Sequence, residues 1–305
     1  MTLLYFCLAA LDLLGEIDTP ALKSRKERCI NWIYACQVIG DAQNDTVCGG
    51  FKGSTFTGAS FDTTKRVYTT QEMGHIAMTY TALACLRILD DDMSRVNKEN
   101  IVVTLKKLQQ PDGSFVPYLG SRESDMRFLY CACAVSTFLN DWRGVNQQAA
   151  VSFILNSQNF DGGFAQSPNL ESHGGSTYCA IASLSLMSAI PQVLSSPKIR
   201  DATIRWLLFR QLSGFNGRPN KPLDTCYSFW IGASLKLLDA YHFVDKAANE
   251  RFLATTESQM GGFGKEPQSY PDLLHSYLGL AGLAIGDFHD LKSLSPALNI
   301  AQHRV

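Results

Sequence analysis

A glycine-aromatic turn recurs five times along this chain, as CGGFKGS (48–54), PDGSFVP (111–117), DGGFAQS (161–167), SGFNGRP (213–219) and MGGFGKE (260–266). The phenylalanines stand at 51, 115, 164, 215 and 263, so successive steps are 64, 49, 51 and 48 residues. A period of about fifty residues holds one pair of elements, and stacked pairs bury a core that no single pair can build. Before each turn runs a helix-compatible stretch ending in glutamine: CINWIYACQ, VTLKKLQQ, AVSFILNSQ, IRWLLFRQ and RFLATTESQ. After each turn and a polar loop comes a run rich in small apolar residues: HIAMTYTALACLRIL, MRFLYCACAVSTFL, STYCAIASLSLM, YSFWIGASLKLL and SYLGLAGLAIG. The first kind carries charge on one face and belongs outside; the second is apolar nearly all round and belongs inside.

Residues 2–14 add a sixth apolar helix, and the pattern predicts an all-α fold, a six-fold α/α toroid of inner and outer helices forming one domain over 1–305. An open solenoid would need polar outer faces on its end repeats, whereas the first and last helices here are apolar, which favours closure. The glycines permit positive φ in the turns and the aromatics pack beneath them. The longer first step reflects an insertion, GSTFTGASFDTTKRVYTTQEMG, placed at the rim.

Composition removes several classes of function. A net charge of −1 over 305 residues leaves no basic footprint for nucleic acid and no charged patch for a membrane surface. The opening MTLLYFCLAALDLLG has the look of a signal segment, but it lacks a basic start and contains Asp12, and no apolar run is long enough to span a bilayer. It reads as a buried helix. Nine cysteines without a C-x-x-C pair suit reduced thiols in a cytoplasmic protein.

In a toroid the inner helices all start at one end, and the residues that open them form a ring: Glu72 and His75, Asp125 and Arg127, Glu171 and His173, Asp224 and Cys226, Asp272 and His275. Capping and the helix dipole account for part of the acidic content. Asp224, Cys226 and His275 offer an oxygen, a sulfur and a nitrogen, which zinc accepts, and three protein ligands leave one position open for substrate. Each also has a purely structural reading: a helix cap, a small buried hydrophobe, a satisfied core histidine. His173 with Gly174 and Gly175, Arg218, Lys221 and Tyr227 together suit a diphosphate, and an apolar tunnel beneath them suits a lipid diphosphate.

The repeats, with ESHGGSTYC (171–179), GRPNKPLDTCYSFW (217–230) and PDLLHSYLGLAGL (271–283), resemble the β subunits of protein prenyltransferases over essentially the whole chain. Within that family, GHIAMTYTALACL, DDMSRVNKE and SDMRFLYCAC are most similar to type I geranylgeranyl-transferring members, with farnesyl-transferring members next. The resemblance implies zinc ligands at Asp224, Cys226 and His275. It implies a geranylgeranyl diphosphate site formed by His173, Gly174, Gly175, Arg218, Lys221, Tyr227, Ser228, Phe229 and Trp230. It also implies a lipid and peptide pocket at Thr2, Phe6, Arg127 and Leu274, in which Thr2 and Phe6 admit a twenty-carbon donor. Lys265 takes the place of a magnesium-recruiting carboxylate, so magnesium is not expected to be required. The implied activity is thioether formation between a prenyl group and a C-terminal CaaX cysteine of proteins such as small GTPases, in an obligate heterodimer with a prenyltransferase α subunit. Family members carry an N-terminal extension before the helix that begins here at Thr2, so one outer-helix position is expected to be empty. Two other readings stay open. A terpene cyclase would share the toroid but needs a D-x-D-D acid, which Asp90-Asp91-Asp92 does not supply, and a non-catalytic scaffold would keep the repeats without needing the ligand set.

Overall fold

Each glycine-aromatic turn sinks its phenylalanine out of reach of water: Phe51, Phe115, Phe164 and Phe215 are fully buried and Phe263 nearly so. In this computed structural model, which describes residues 1–39, 49–55, 73–288 and 290–305, those turns join twelve helices. In chain order they are α1 (Thr2–Leu13), α2 (Pro20–Ala35), α3 (Ile76–Ile88), α4 (Lys98–Leu108), α5 (Met126–Leu139) and α6 (Gln147–Asn156). The second half has α7 (Gly174–Leu186), a single-turn α8 (Ile190–Val193), α9 (Pro197–Leu208), α10 (Tyr227–Leu237), α11 (Lys246–Thr256) and α12 (Leu273–Ile285). Glu72 and residues 56–72 of the insertion lie outside the described residues.

Helices α1, α3, α5, α7, α10 and α12 pack side by side in that order, and α12 returns to α1, so the ring closes as the apolar ends of the chain require. Helices α2, α4, α6, α9 and α11 lie outside it. The glycines in the turns are needed where φ is positive, as at Gly113 (+92°), where an added Cβ would also lie 2.0 Å from the Ala149 carbonyl oxygen.

The turn phenylalanine does more than fill space. Its backbone pairs with the residue that ends the outer helix, Gln109 with Phe115, Gln158 with Phe164, Gln211 with Phe215 and Glu257 with Phe263. Its carbonyl then accepts from the residue that opens the next inner helix: His75 to Phe51 (3.0 Å), His173 to Phe164 (3.1 Å), Asp224 to Phe215 (3.0 Å) and Asp272 to Phe263 (3.3 Å). Beyond these, a backbone N–H at each opening donates to the loop of the following repeat, Ile76 to Pro117, Met126 to Gln166, Gly174 to Gly217 and Thr225 to Lys265. These bonds satisfy groups that a helix start leaves orphaned and lock the openings into one rim.

The other end of the ring is filled by the chain's own C-terminal stretch, which sequence reading did not foresee. Strands β1 (Gln37–Val38) and β2 (Gly50–Phe51) form a small antiparallel pair, and β3 (Leu294–Ser295) and β4 (Ile300–Ala301) form another. Between β3 and β4, four successive carbonyls each receive a phenol from a different part of the ring. Tyr178 donates to Pro296 (3.0 Å), Tyr130 to Ala297 (3.1 Å), Tyr80 to Leu298 (3.0 Å), and both Tyr5 (2.5 Å) and Tyr277 (2.6 Å) to Asn299. Four of these tyrosines stand five residues after the capping residues His75, Asp125, His173 and Asp272. On α10, Trp230 packs on the Tyr178 ring instead, with centroids 5.0 Å apart. Asp12, fully buried, accepts from Lys292 (3.1 Å) and Arg304 (3.1 Å) and so ties α1 to the end of the chain.

Candidate active site and metal centre

The inner helices are capped in three ways, and the differences decide what each rim residue is free to do. At α3 and α7 a histidine is itself the cap: His75 Nδ1 accepts from the Ala77 N–H (3.2 Å) and His173 Nδ1 from the Gly175 N–H (3.0 Å). At α5 and α12 an aspartate caps, Asp125 accepting from Arg127 and Asp272 from His275. At α10 the cap residue Cys226 makes no side-chain cap bond, and Asp224 accepts its N–H at 2.9 Å.

His275 is therefore released from capping. Its Nδ1 faces the second oxygen of Asp272 at 2.5 Å, which places a ring proton there, and its Nε2 stands 3.4 Å from Asp224 Oδ1. Ligand atoms of Asp224, Cys226 and His275 all lie within 4.8 Å of one another. The 3.4 Å separation is about the edge of a tetrahedron with bonds of roughly 2.1 Å, the length expected for zinc to nitrogen or oxygen. Burial raises the Asp224 carboxyl, but hydrogen bonds from His275 and Cys226 outweigh it and hold the group below its usual range. Burial and the adjacent Asp224 push the Cys226 thiol well up, so a carboxylate and a thiolate are at ease side by side here only beside a cation.

His173 is oriented the opposite way. Because its Nδ1 accepts from the backbone, the neutral ring carries its proton on Nε2, which donates to the Tyr227 hydroxyl at 2.9 Å. Tyr227's own hydrogen is left for an acceptor outside the protein. Gly217 makes room for that phenol, since a Cβ there would lie 2.1 Å from the ring; at Gly174 the ring would meet a Cβ at 3.1 Å. Arg218 pairs with Glu171 at 2.6 Å and stays partly exposed, while Lys221 and Lys265 are exposed on the same rim. Burial, aided by the Arg218 charge, holds the His173 imidazole below its usual range.

Beneath this rim lies a cavity of about 620 Å³, mostly apolar in its walls. Thr2, Phe6, Arg127, His173, Gly175, Trp230 and Leu274 all line it, which brings together residues that sequence reading drew from five separate helices. Two residues do not belong with them. Ser228 is fully buried and donates to Asn249 on α11 (2.8 Å), and Phe229 is fully buried against the rings of Tyr178 and Trp230. Both pack inner helix to neighbour, because a helix presents only about a third of its residues to one face, so neither is a diphosphate ligand. Arg127 is held by Asp125 through Nε (3.1 Å) and a terminal nitrogen (2.6 Å), and by Glu123 (2.5 Å). The wall also contains Tyr5, Tyr80, Tyr130 and Asn299, none anticipated from sequence, although the tyrosines recur at one repeat position.

Comparison with known proteins agrees with the repeat reading. A family model described as the prenyltransferase alpha-alpha toroid domain matches residues 1–300. The geranylgeranyl transferase type-1 subunit beta of Dictyostelium discoideum is 38% identical over 99% of this chain and 88% of its own length. Its counterpart in Arabidopsis thaliana is 39% identical, over 98% of this chain and 81% of its own. The structure of Candida albicans protein geranylgeranyltransferase-I complexed with GGPP matches with a TM-score of 0.86 at 28% identity, over 99% of this chain and 89% of that one. An ent-copalyl diphosphate synthase from Streptomyces platensis, 15% identical with a TM-score of 0.56, shares the toroid alone. A single family description along nearly the whole repeat ring, together with full-length relatives of one kind, makes this chain a member of the prenyltransferase α/α-toroid family, in its geranylgeranyl transferase type-1 β-subunit branch.

Proposed function

We propose that this chain is the catalytic β subunit of a protein geranylgeranyltransferase type I. It transfers the twenty-carbon group of geranylgeranyl diphosphate to the cysteine sulfur of a C-terminal CaaX motif and releases diphosphate. The observation that carries the reading is one arrangement: an oxygen-sulfur-nitrogen donor set and a phenol-imidazole-guanidinium rim stand together over an apolar cavity.

Asp224, Cys226 and His275 fit zinc in donor type and spacing, with Asp272 fixing the His275 ring from behind. Zinc bound there would supply the Lewis acidity that keeps an incoming peptide thiol deprotonated at neutral pH. The remaining residues act on the donor. Tyr227, aimed by His173, presents its hydroxyl hydrogen to the diphosphate, and Arg218 exchanges its bond to Glu171 for one to the same group. As the C1–oxygen bond breaks, charge grows on the leaving diphosphate, and donors already in place bind that state more tightly than the ground state. Lys221 and Lys265 add charge at the rim, Lys265 in the place of magnesium. Thr2, Phe6 and Trp230 receive the lipid, and Arg127 with Leu274 receives the peptide end.

The prenyltransferase α subunit is the proposed partner. Phe160, Met260 and Tyr270, almost wholly exposed on loops at the site end of the ring, support an apolar covering there. The free cysteines support a cytoplasmic location. Among the described residues no helix is long and apolar enough to cross a membrane.

The test uses the chain co-produced with an α subunit, a Leu-terminated CaaX peptide, and fifteen- and twenty-carbon donors in competition. Bound zinc, preference for the longer donor and no gain from added magnesium are expected. Thr2→Trp should shift preference toward the shorter donor, and Cys226→Ala should lose zinc and peptide turnover while still binding donor. Turnover without zinc, or wild-type preference for the shorter donor, would refute the assignment.

A further inference from the structure

Resting on the prenyl-transfer reading, we propose that the C-terminal stretch Pro296–Asn299 is the end wall of the donor cavity and that Asn299 limits the length of prenyl chain the cavity accepts. Asn299 lines the same cavity as Thr2, Tyr5 and Phe6, yet it comes from the far end of the chain and is only 3% exposed. The wall is stiff because its four consecutive carbonyls are each held by a phenol, and Asn299 is held twice through its carbonyl and once through Oδ1, which accepts from Tyr277 at 2.9 Å. Its φ of +54° is a left-handed conformation that asparagine tolerates and branched residues do not, so the choice of residue there is narrow.

The wall resists a longer tail in two ways. The four heavy atoms of the Asn299 side chain occupy nearly the space of one five-carbon isoprene unit, so a fifth unit meets filled volume. The Asn299 amide nitrogen also finds no acceptor among the described residues, and a lipid end pressed onto it would seal off an unpaired donor, at a cost of roughly ten-fold or more in affinity.

The heterodimer, assayed with fifteen-, twenty- and twenty-five-carbon donors on one Leu-terminated peptide, tests this. Asn299→Gly keeps the left-handed backbone and removes the side chain; the kcat/KM ratio of the twenty-five- to the twenty-carbon donor should rise about ten-fold, carried by KM. Asn299→Gln adds one methylene, and the ratio of the twenty- to the fifteen-carbon donor should fall by about the same factor. Should the glycine variant fail to fold, the glutamine variant decides alone. Folded variants that turn over the twenty-carbon donor with both ratios at the wild-type value would overturn the end-wall role of Asn299. A wild type indifferent to prenyl diphosphates would instead overturn the transfer reading itself.

Discussion

His275 and His173 carry the same ring, but His173 is itself the cap of its helix whereas His275 follows the cap Asp272 by three residues, and that gives them opposite orientations. Where histidine caps, Nδ1 is occupied by a backbone N–H and Nε2 must donate; where Asp272 caps, Nδ1 donates to it and Nε2 is turned to Asp224. Asp272→Asn keeps the cap while removing the charge behind His275, so zinc affinity should fall about 10–100-fold, read by competition with a chelator. An unchanged affinity would show that Asp272 does not tune the ligand. The capping histidines also link stability to pH. Burial holds both His75 and His173 below their ordinary value of 6.5, so the unfolded chain takes up protons first as pH falls. The stability they contribute is fully present above that unfolded value and is lost as pH drops through the lower folded ones. Paired His75→Asn and His173→Asn substitutions keep acceptor caps that do not titrate; urea denaturation should then show a flatter decline between about pH 6.5 and 5.

At the scale of the element, the repeat was legible because two signals coincide every fifty residues or so: a glycine that must be glycine and an aromatic that must be buried. The same logic fails where burial depends on a distant strand of chain. Asp12 reads in sequence as an oddity in an apolar helix, and only the fold shows it paired with Lys292 and Arg304. Asp12→Ala removes the two bonds that Arg304 makes to Asp12 and leaves Asp90 to hold that guanidinium, so it should cost about 1–3 kcal/mol, measured by chemical denaturation. The first half of α2 was missed for another reason: PALKSRKER has no apolar stripe, and its helix is set by Pro20 at the first position and by the half that packs. The motif GRPNKPLDTCYSFW carries Ser228 and Phe229 into the implied diphosphate site along with Tyr227, but on a helix adjacent residues face about 100° apart, and these two are buried against neighbouring helices.

Across the whole molecule, the rim and the ring interior divide the work. The rim carries the candidate site and an exposed apolar fringe; Phe160→Asp together with Tyr270→Asp should weaken assembly with the proposed α subunit by about ten-fold or more in Kd, without loss of helicity, in an equilibrium binding measurement. Intact binding would move the interface elsewhere. Asp224, Cys226 and His275 were legible as a candidate donor set since each opens a recognisable helix, and only closure of the ring, predicted from two apolar end helices, could bring residues 224 and 275 together.

The phenols that grip Pro296–Asn299 also set an order of events in the life of the chain. Tyr5 leaves the ribosome 294 residues ahead of Asn299, which at ordinary rates of synthesis is an interval of about 15–60 s. Until residues 296–299 arrive, the phenols on the earlier helices lack the backbone carbonyls they later grip, Tyr277 for only the last 22 residues of that span, and a chain that stops before them never acquires those bonds. The finished ring thus requires a segment made long after its first helix, and a product cut short of Pro296 is marked by the polar groups it leaves bare.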